Sequence, residues 1–225
     1  MKKLITLMLV LLMGNIACAE VTEEKQEKVI LPQVQYKSEV SLEKALYNRE
    51  SVRNYGCKAV TLENISQLLW AAQGTSKSGK RTAPSAYAKY PLNIYAVVGK
   101  VDDLAAGLYR YDPKEHQLVK LKEGDLRKDL VIACQGQGAT LLAPASIVIT
   151  SSHKENTAYL EVGHVAQNVY LQATALDLGT AVVAVFNEQA IDELIGLDEN
   201  NHTIYVMPVG SKPQKCGCKG GACKK

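Results

Sequence analysis

Two guanidiniums and a hydroxyl fall within five residues at Arg49-Glu50-Ser51-Val52-Arg53. Arginine forks match phosphate and carbonyl oxygens, so the cluster is a candidate anion site. A solvated charge run is the plainer alternative. A second segment, Arg81-Thr82-Ala83-Pro84-Ser85-Ala86, joins a stiff proline to small residues that let a backbone approach a ligand closely. It also reads as a surface loop. A third, Leu178 to Phe186, is an apolar run after a glycine, ordinary for a core strand. The C-terminal Cys216-x-Cys218-x4-Cys223 offers thiolates that suit soft metals. Three cysteines without a fourth ligand do not make a structural zinc site. A flexible, disulfide-capable basic tail and thiol exchange with a partner are the other readings.

These residues must be positioned by elements that periodicity and caps locate. Ser41 begins a short helix that runs to Asn48. Thr61 caps a second helix whose Leu62, Ile65, Leu68, Leu69 and Ala72 share a face, with Gly74 as its stop. Thr75–Ala88 is a loop. Asn93–Val98 and Leu108–Tyr111 read as strands, and Gln117–Leu121 completes a hairpin across Asp112-Pro113. Gly124–Ala133 reads as a helix and Ala145–Thr150 as a buried strand. Thr157–Leu178 is the longest helix, ended by Gly179. It is apolar on more than one face, which places it centrally. Thr180–Val185 and Thr203–Val209 read as strands around a helix at Glu188–Ile195. Helices and strands mix without a βαβ rhythm, so the class is α+β.

The chain of 225 residues has room for one domain, two at most. Apolar residues at 47% and charged residues at 22% exclude collagen, coiled-coil and disordered classes. The net charge of +3 is carried by Lys2, Lys3 and the tail, which leaves Glu20–Ser211 mildly acidic. No nucleic-acid partner is expected of such a body. Lys2 and Lys3, the apolar Leu4–Met13 and Ala17-Cys18-Ala19 form a secretory signal peptide over residues 1–19. A lipoprotein anchored at Cys18 is the rival reading, and both place the body outside the cytoplasm, in the periplasm or extracellular space. Residues 20–40 form a polar arm, 41–213 the folded body and 214–225 the tail. Besides the tail, Cys57 and Cys134 remain, and five cysteines cannot all pair internally.

Six stretches, in this order and spacing, resemble the nitroreductase family and in particular its SagB-type (thiazole/oxazole-forming) dehydrogenase branch. They are SLEKALYNRESVRNY, TLENISQLLWAAQG, RTAPSAYAKYPLNIYAVV, GLYRYDP, EVGHVAQNVYLQATALDLGTAVVAVF and IYVMPVG. The resemblance covers about Ser41–Pro213. It implies an α+β fold with a central mixed or antiparallel sheet flanked by helices, and a long central helix at a homodimer interface that holds FMN.

On this resemblance, Arg49 and Ser51 hold phosphate and ribityl oxygens, and Arg53 faces the pyrimidine end of the flavin. Pro84, Ser85 and Ala86 match the loop that reaches FMN from the partner subunit. Ala184 and Val185 match the strand end beside the hydride-accepting nitrogen, and Lys212 stands near a basic position after the last strand. The sequence departs from the family pattern at Glu50, where an arginine is usual, and at Tyr87 and Ala184, where glycine is usual. The expected activity is FMN-dependent transfer of hydride or electrons to or from a small planar substrate. The donor is NAD(P)H or an extracytoplasmic redox partner. The alternative is a flavin-binding or metal- and thiol-handling protein that works through Cys216, Cys218 and Cys223 without turnover. Glu161, His164, Asn168 and Gln172 form a polar stripe on the long helix. We read it as an interhelical network at the dimer seam, because flavin hydride transfer needs no side-chain base.

Overall fold

The computed structural model describes residues 26–213, so the expected signal peptide, Cys18 and the tail with Cys216, Cys218 and Cys223 lie outside the described residues. Seven strands form one sheet: β1 (Lys28–Ile30), β2 (Leu92–Val98), β3 (Gly107–Asp112), β4 (Gln117–Glu123), β5 (Ala145–Ser151), β6 (Leu178–Thr180) and β7 (His202–Ser211). Their order is β1-β4-β3-β2-β5-β7-β6, and every neighbouring pair is antiparallel. The expected mixed or antiparallel sheet is therefore antiparallel.

Helices α1 (Leu42–Asn48), α2 (Leu62–Gln73), α3 (Arg127–Ala133), α4 (Ala139–Leu142), α5 (Asn156–Ala175) and α6 (Glu188–Ile195) surround it. Side chains alternate across the pleat, so each sheet face acquires its own core. On one face Ile94, Ala96, Ile147 and Met207 meet Leu68 and Leu69 of α2 and Val162, Val165 and Val169 of α5. On the other, Tyr95, Val97, Val148 and Val206 meet Leu130 of α3 and Ile191 and Ile195 of α6. The result is three layers with the sheet in the middle; α5 packs across one face of it and leaves Tyr159, Leu160, His164 and Gln167 exposed. Among the described residues no helix is long and apolar enough to cross a membrane.

Caps set the helix starts. The Thr61 hydroxyl accepts from Asn64 N–H at 3.3 Å, and the Asn64 side chain accepts from Thr61 N–H at 3.2 Å. This reciprocal box satisfies two of the donors a helix start leaves free. Ser41 and Asn187 cap α1 and α6 in the same way with single bonds. α3 starts at Arg127, later than expected, because the Asp125 carboxylate binds both the Arg127 N–H and its guanidinium just before it.

Three further expectations are corrected. α5 ends at Ala175, not Leu178, because Asp177 takes a left-handed φ of 57° and frees Leu178 for the sheet. Gly179 lies inside β6, where a Cβ would sit 2.5 Å from Val52 Cγ1, so close approach explains the glycine. The strand expected at Thr180–Val185 is only β6 at its start. The chain then leaves the ladder and touches β7 once more, through Val183 and Val206.

The arm contributes more than a tether. β1 pairs with β4, and Leu31 is buried in the core. The Gln35 N–H donates to the Gln67 side-chain oxygen at 2.9 Å, and the Gln67 amide donates back to the Gln35 carbonyl at 2.9 Å.

Candidate functional site

The segment Arg49–Arg53 leaves the C-terminus of α1 and runs beside β6. Val52 N–H donates to the Thr180 carbonyl at 2.9 Å, and Ser51 bridges Thr180 in parallel. Tyr55 fastens the following turn to β7. Its hydroxyl donates to the Pro208 carbonyl at 3.1 Å, and Gly210 leaves room for its ring. Burial raises the Tyr55 pKa far above the ordinary tyrosine value, so this staple stays protonated.

Arg49 is half-buried, with its guanidinium 5.2 Å from the centre of the Tyr170 ring. The Tyr170 hydroxyl lies 3.1 Å from Ser51 Oγ and accepts the Val182 N–H at 2.9 Å. One side chain of α5 thus joins the Arg49–Ser51 segment to the strand end that leads to Ala184 and Val185. Both of those residues are exposed, and the Val185 carbonyl accepts from the Gln137 side-chain amide at 2.6 Å. Residue type and spacing alone gave Tyr170 no such role. Its one sequence signal is a hydroxyl-bearing ring off the main apolar stripe of α5.

Arg53 is exposed, and neither it nor Arg49 makes an ion pair among the described residues. Glu50 does: its carboxylate lies 3.5 Å from Lys212 Nζ. The acidic departure from the family pattern is met by the basic residue after β7. Lys44, Asn48, Glu50, Asp177 and Lys212 line a hollow of about 310 Å³.

Pro84, Ser85 and Ala86 lie elsewhere. The Ser85 hydroxyl accepts the Tyr90 N–H at 2.8 Å, Lys89 pairs with Glu155 at 3.3 Å, and the Pro91 carbonyl accepts Ser152 N–H. These contacts place the loop at the start of α5. Tyr170 is fifteen residues further along that helix, roughly 22 Å at 1.5 Å per residue. One protomer therefore does not bring this loop to Arg49 and Ser51. Tyr87, with φ of 56° and 93% exposed, projects from the loop.

The polar stripe of α5 divides. Glu161 is buried and accepts from the Gln73 amide at 3.4 Å, and Gln172 accepts from the Gln67 amide at 3.3 Å. Both bonds run to α2 of the same protomer, so the interhelical network expected of the stripe is formed by Glu161 and Gln172. His164 faces solvent. Cys134 is buried, and burial raises its thiol pKa to about 11, so it is inert as a thiolate; Cys57 is exposed.

A layered α+β fold that holds two arginines and a serine on a segment beside the edge strand β6 narrows the class, and comparison with known proteins gives the family. Residues 46–211 match the model of the nitroreductase family. A protein of Methanocaldococcus jannaschii described as a nitroreductase is 37% identical over 196 residues, covering 82% of this chain and 96% of that one. A crystal structure described as a nitroreductase, from Ralstonia eutropha JMP134, superposes with a TM-score of 0.73 at 30% identity, over 83% of this chain and 90% of that one. A chain of the E. coli microcin synthetase complex shares the fold at a TM-score of 0.61 and 19% identity, over 89% and 84% of the two chains. The chain belongs to the nitroreductase family, a family of oxidoreductases.

Proposed function

We propose that this chain is an exported, FMN-dependent oxidoreductase of the SagB-type branch, acting as a homodimer on a small planar substrate. The observation that carries the reading is the junction at Tyr170, where Arg49, Ser51 and Val182 meet. The donor set fits FMN. Two arginines free of carboxylates and a hydroxyl suit a phosphate and an electron-rich ring, and Lys212 neutralises Glu50 beside them. When bound, FMN supplies the hydride or electron chemistry. Arg49 and Ser51 bind the phosphate end. Arg53 places a cation at the pyrimidine end, where negative charge develops on reduction. Ala184 and Val185 follow Val182 on the segment that Tyr170 ties to the clamp, which puts their exposed backbone beside it.

The homodimer reading is supported by the surface of one protomer. Leu42 and Leu46 on α1 and, nearer the other end of α5, Tyr159 and Leu160 are exposed apolar side chains that a second protomer would cover. A groove of about 470 Å³ runs between α1, α2 and α5. A second protomer on this face would bring the Pro84–Ala86 loop to the clamp that it does not reach within its own chain. NAD(P)H or an extracytoplasmic redox protein is the proposed donor.

The test is the absorbance spectrum of the purified protein with FMN added. A flavin spectrum that bleaches with a reductant and returns with an acceptor is expected. Arg53→Ala is expected to bind FMN more weakly and to be reduced more slowly. A protein that takes up no flavin would overturn the reading.

A further inference from the structure

The Tyr170 hydroxyl sits in a chain whose polarity can be worked out. The Val182 N–H can only donate, so at 2.9 Å it occupies a lone pair of Tyr170 Oη. The tyrosine proton then needs an acceptor, and Ser51 Oγ at 3.1 Å is its only partner among the described residues. With Ser51 donating instead, the half-buried tyrosine would accept twice and leave its own proton unpaired, which is costly. The order is therefore Val182 N–H to Tyr170 Oη, and Tyr170 O–H to Ser51 Oγ. Ser51 is exposed, so its own proton points out of the chain. The Arg49 guanidinium over the Tyr170 ring adds a cation at the same place.

We propose that Tyr170 is a positioning residue that fixes Ser51 as a hydrogen-bond donor and so makes the clamp selective for the phosphate group of its cofactor. The inference rests on the FMN reading. A rotating serine can accept or donate and serves a phosphate or a ribityl hydroxyl alike. A serine that accepts from Tyr170 has its proton turned outward and one lone pair left, so donation to an acceptor-only oxygen is favoured, and a phosphate supplies several.

Tyr170→Phe keeps the ring beneath Arg49 and removes only the hydroxyl. Dissociation constants for FMN and for riboflavin, read by flavin fluorescence, are measured for wild type, Tyr170→Phe, Ser51→Ala and the double variant. Each single change is expected to weaken FMN about tenfold, the scale of one hydrogen bond to a charged group, and riboflavin by less than threefold. The double variant is expected to lose no more than the weaker single, because both act in one chain. Unchanged FMN affinity in Tyr170→Phe would overturn the proposal. So would equal losses for FMN and riboflavin with a lowered apoprotein melting temperature, which is what a merely structural tyrosine gives. Wild type that binds neither flavin would overturn the FMN reading and phosphate selectivity with it. The relay is then judged separately by Val182 amide exchange, protected in wild type and fast in Tyr170→Phe if it stands, equally protected in both if it fails.

Discussion

The Glu50 carboxylate and the Lys212 ammonium meet at 3.5 Å, so the acidic residue inside the arginine cluster is held against the first residue beyond β7. Glu50 is largely exposed, and such pairs contribute about 0–1 kcal/mol to folding. Their effect on an anion nearby is larger. Lys212→Ala removes a cation and leaves Glu50 unpaired beside the proposed phosphate site. FMN affinity is expected to fall about tenfold, while stability moves by less than about 1 kcal/mol. Glu50→Gln in the same protein is expected to restore part of the affinity. Flavin titration at two salt concentrations checks both, with the difference shrinking at high salt.

Gly179→Ala tests how closely the clamp must lie on β6. The new Cβ would stand 2.5 Å from Val52 Cγ1 and 2.6 Å from Val52 Cβ. Either strand or clamp must shift, at a cost of about 1–3 kcal/mol by analogy with overpacked cores. Since Val52 sits between Ser51 and Arg53, flavin affinity is expected to fall with stability. Val52→Ala in the Gly179→Ala background is expected to recover both, as urea melts and flavin titration would show. A gain in affinity from Gly179→Ala alone would reject the close-packing account.

His116 ties the arm to the body and makes stability depend on pH. Its Nε2 faces the Pro32 carbonyl at 3.2 Å and Ser66 Oγ at 2.9 Å, and its Nδ1 faces the Tyr111 hydroxyl at 2.9 Å. A carbonyl only accepts, so Nε2 carries the proton and Nδ1 accepts from Tyr111. Burial lowers the His116 pKa, partly offset by the Pro32 carbonyl. Below about 6.5 the unfolded chain binds a proton that the folded chain resists. The contribution of neutral His116 is therefore full above that pH and is lost as pH falls towards the lowered value. Thermal melts from pH 7 to pH 5 are expected to show a fall that His116→Gln reduces. An unchanged slope in the variant would remove His116 as its source.

What the sequence made legible follows from how local each determinant is. The α2 bounds could be read because Thr61 and Gly74 act on their own neighbours and the apolar face repeats at helical spacing. The bounds of α6 were equally readable. β1 was not, since three residues of a polar arm become a strand only by pairing with β4. The end of α5 was misplaced because the left-handed residue is Asp177, while Gly179 answers to Val52 in another segment. Arg49 and Ser51 stood out by residue type. Tyr170 did not, because its value lies in two hydroxyl contacts, one of them to a serine 119 residues away. The pairing of Lys212 with Glu50 was likewise invisible until the sheet brought β7 beside the clamp.

The outer face of α5 offers the sharpest test of assembly. Gly163 lies there between Leu160, which is 68% exposed, and Gln167, and a Cβ built on it meets nothing within 4 Å. In an isolated protomer any side chain fits at this position, and alanine would even raise helix stability by up to about 1 kcal/mol. Where a second protomer packs on the same face, a large side chain has no such room. Gly163→Trp is therefore expected to leave the helical circular dichroism intact while light scattering at micromolar protein shows the dimer giving way to monomer. FMN occupancy is expected to fall with the dimer, because the Pro84–Ala86 loop sits at the far end of α5 from Arg49 and Ser51 in its own chain. A Gly163→Trp protein that stays dimeric with full flavin would move the interface off this face. A wild-type protein that is monomeric with full flavin would show that the loop is not needed to close the site.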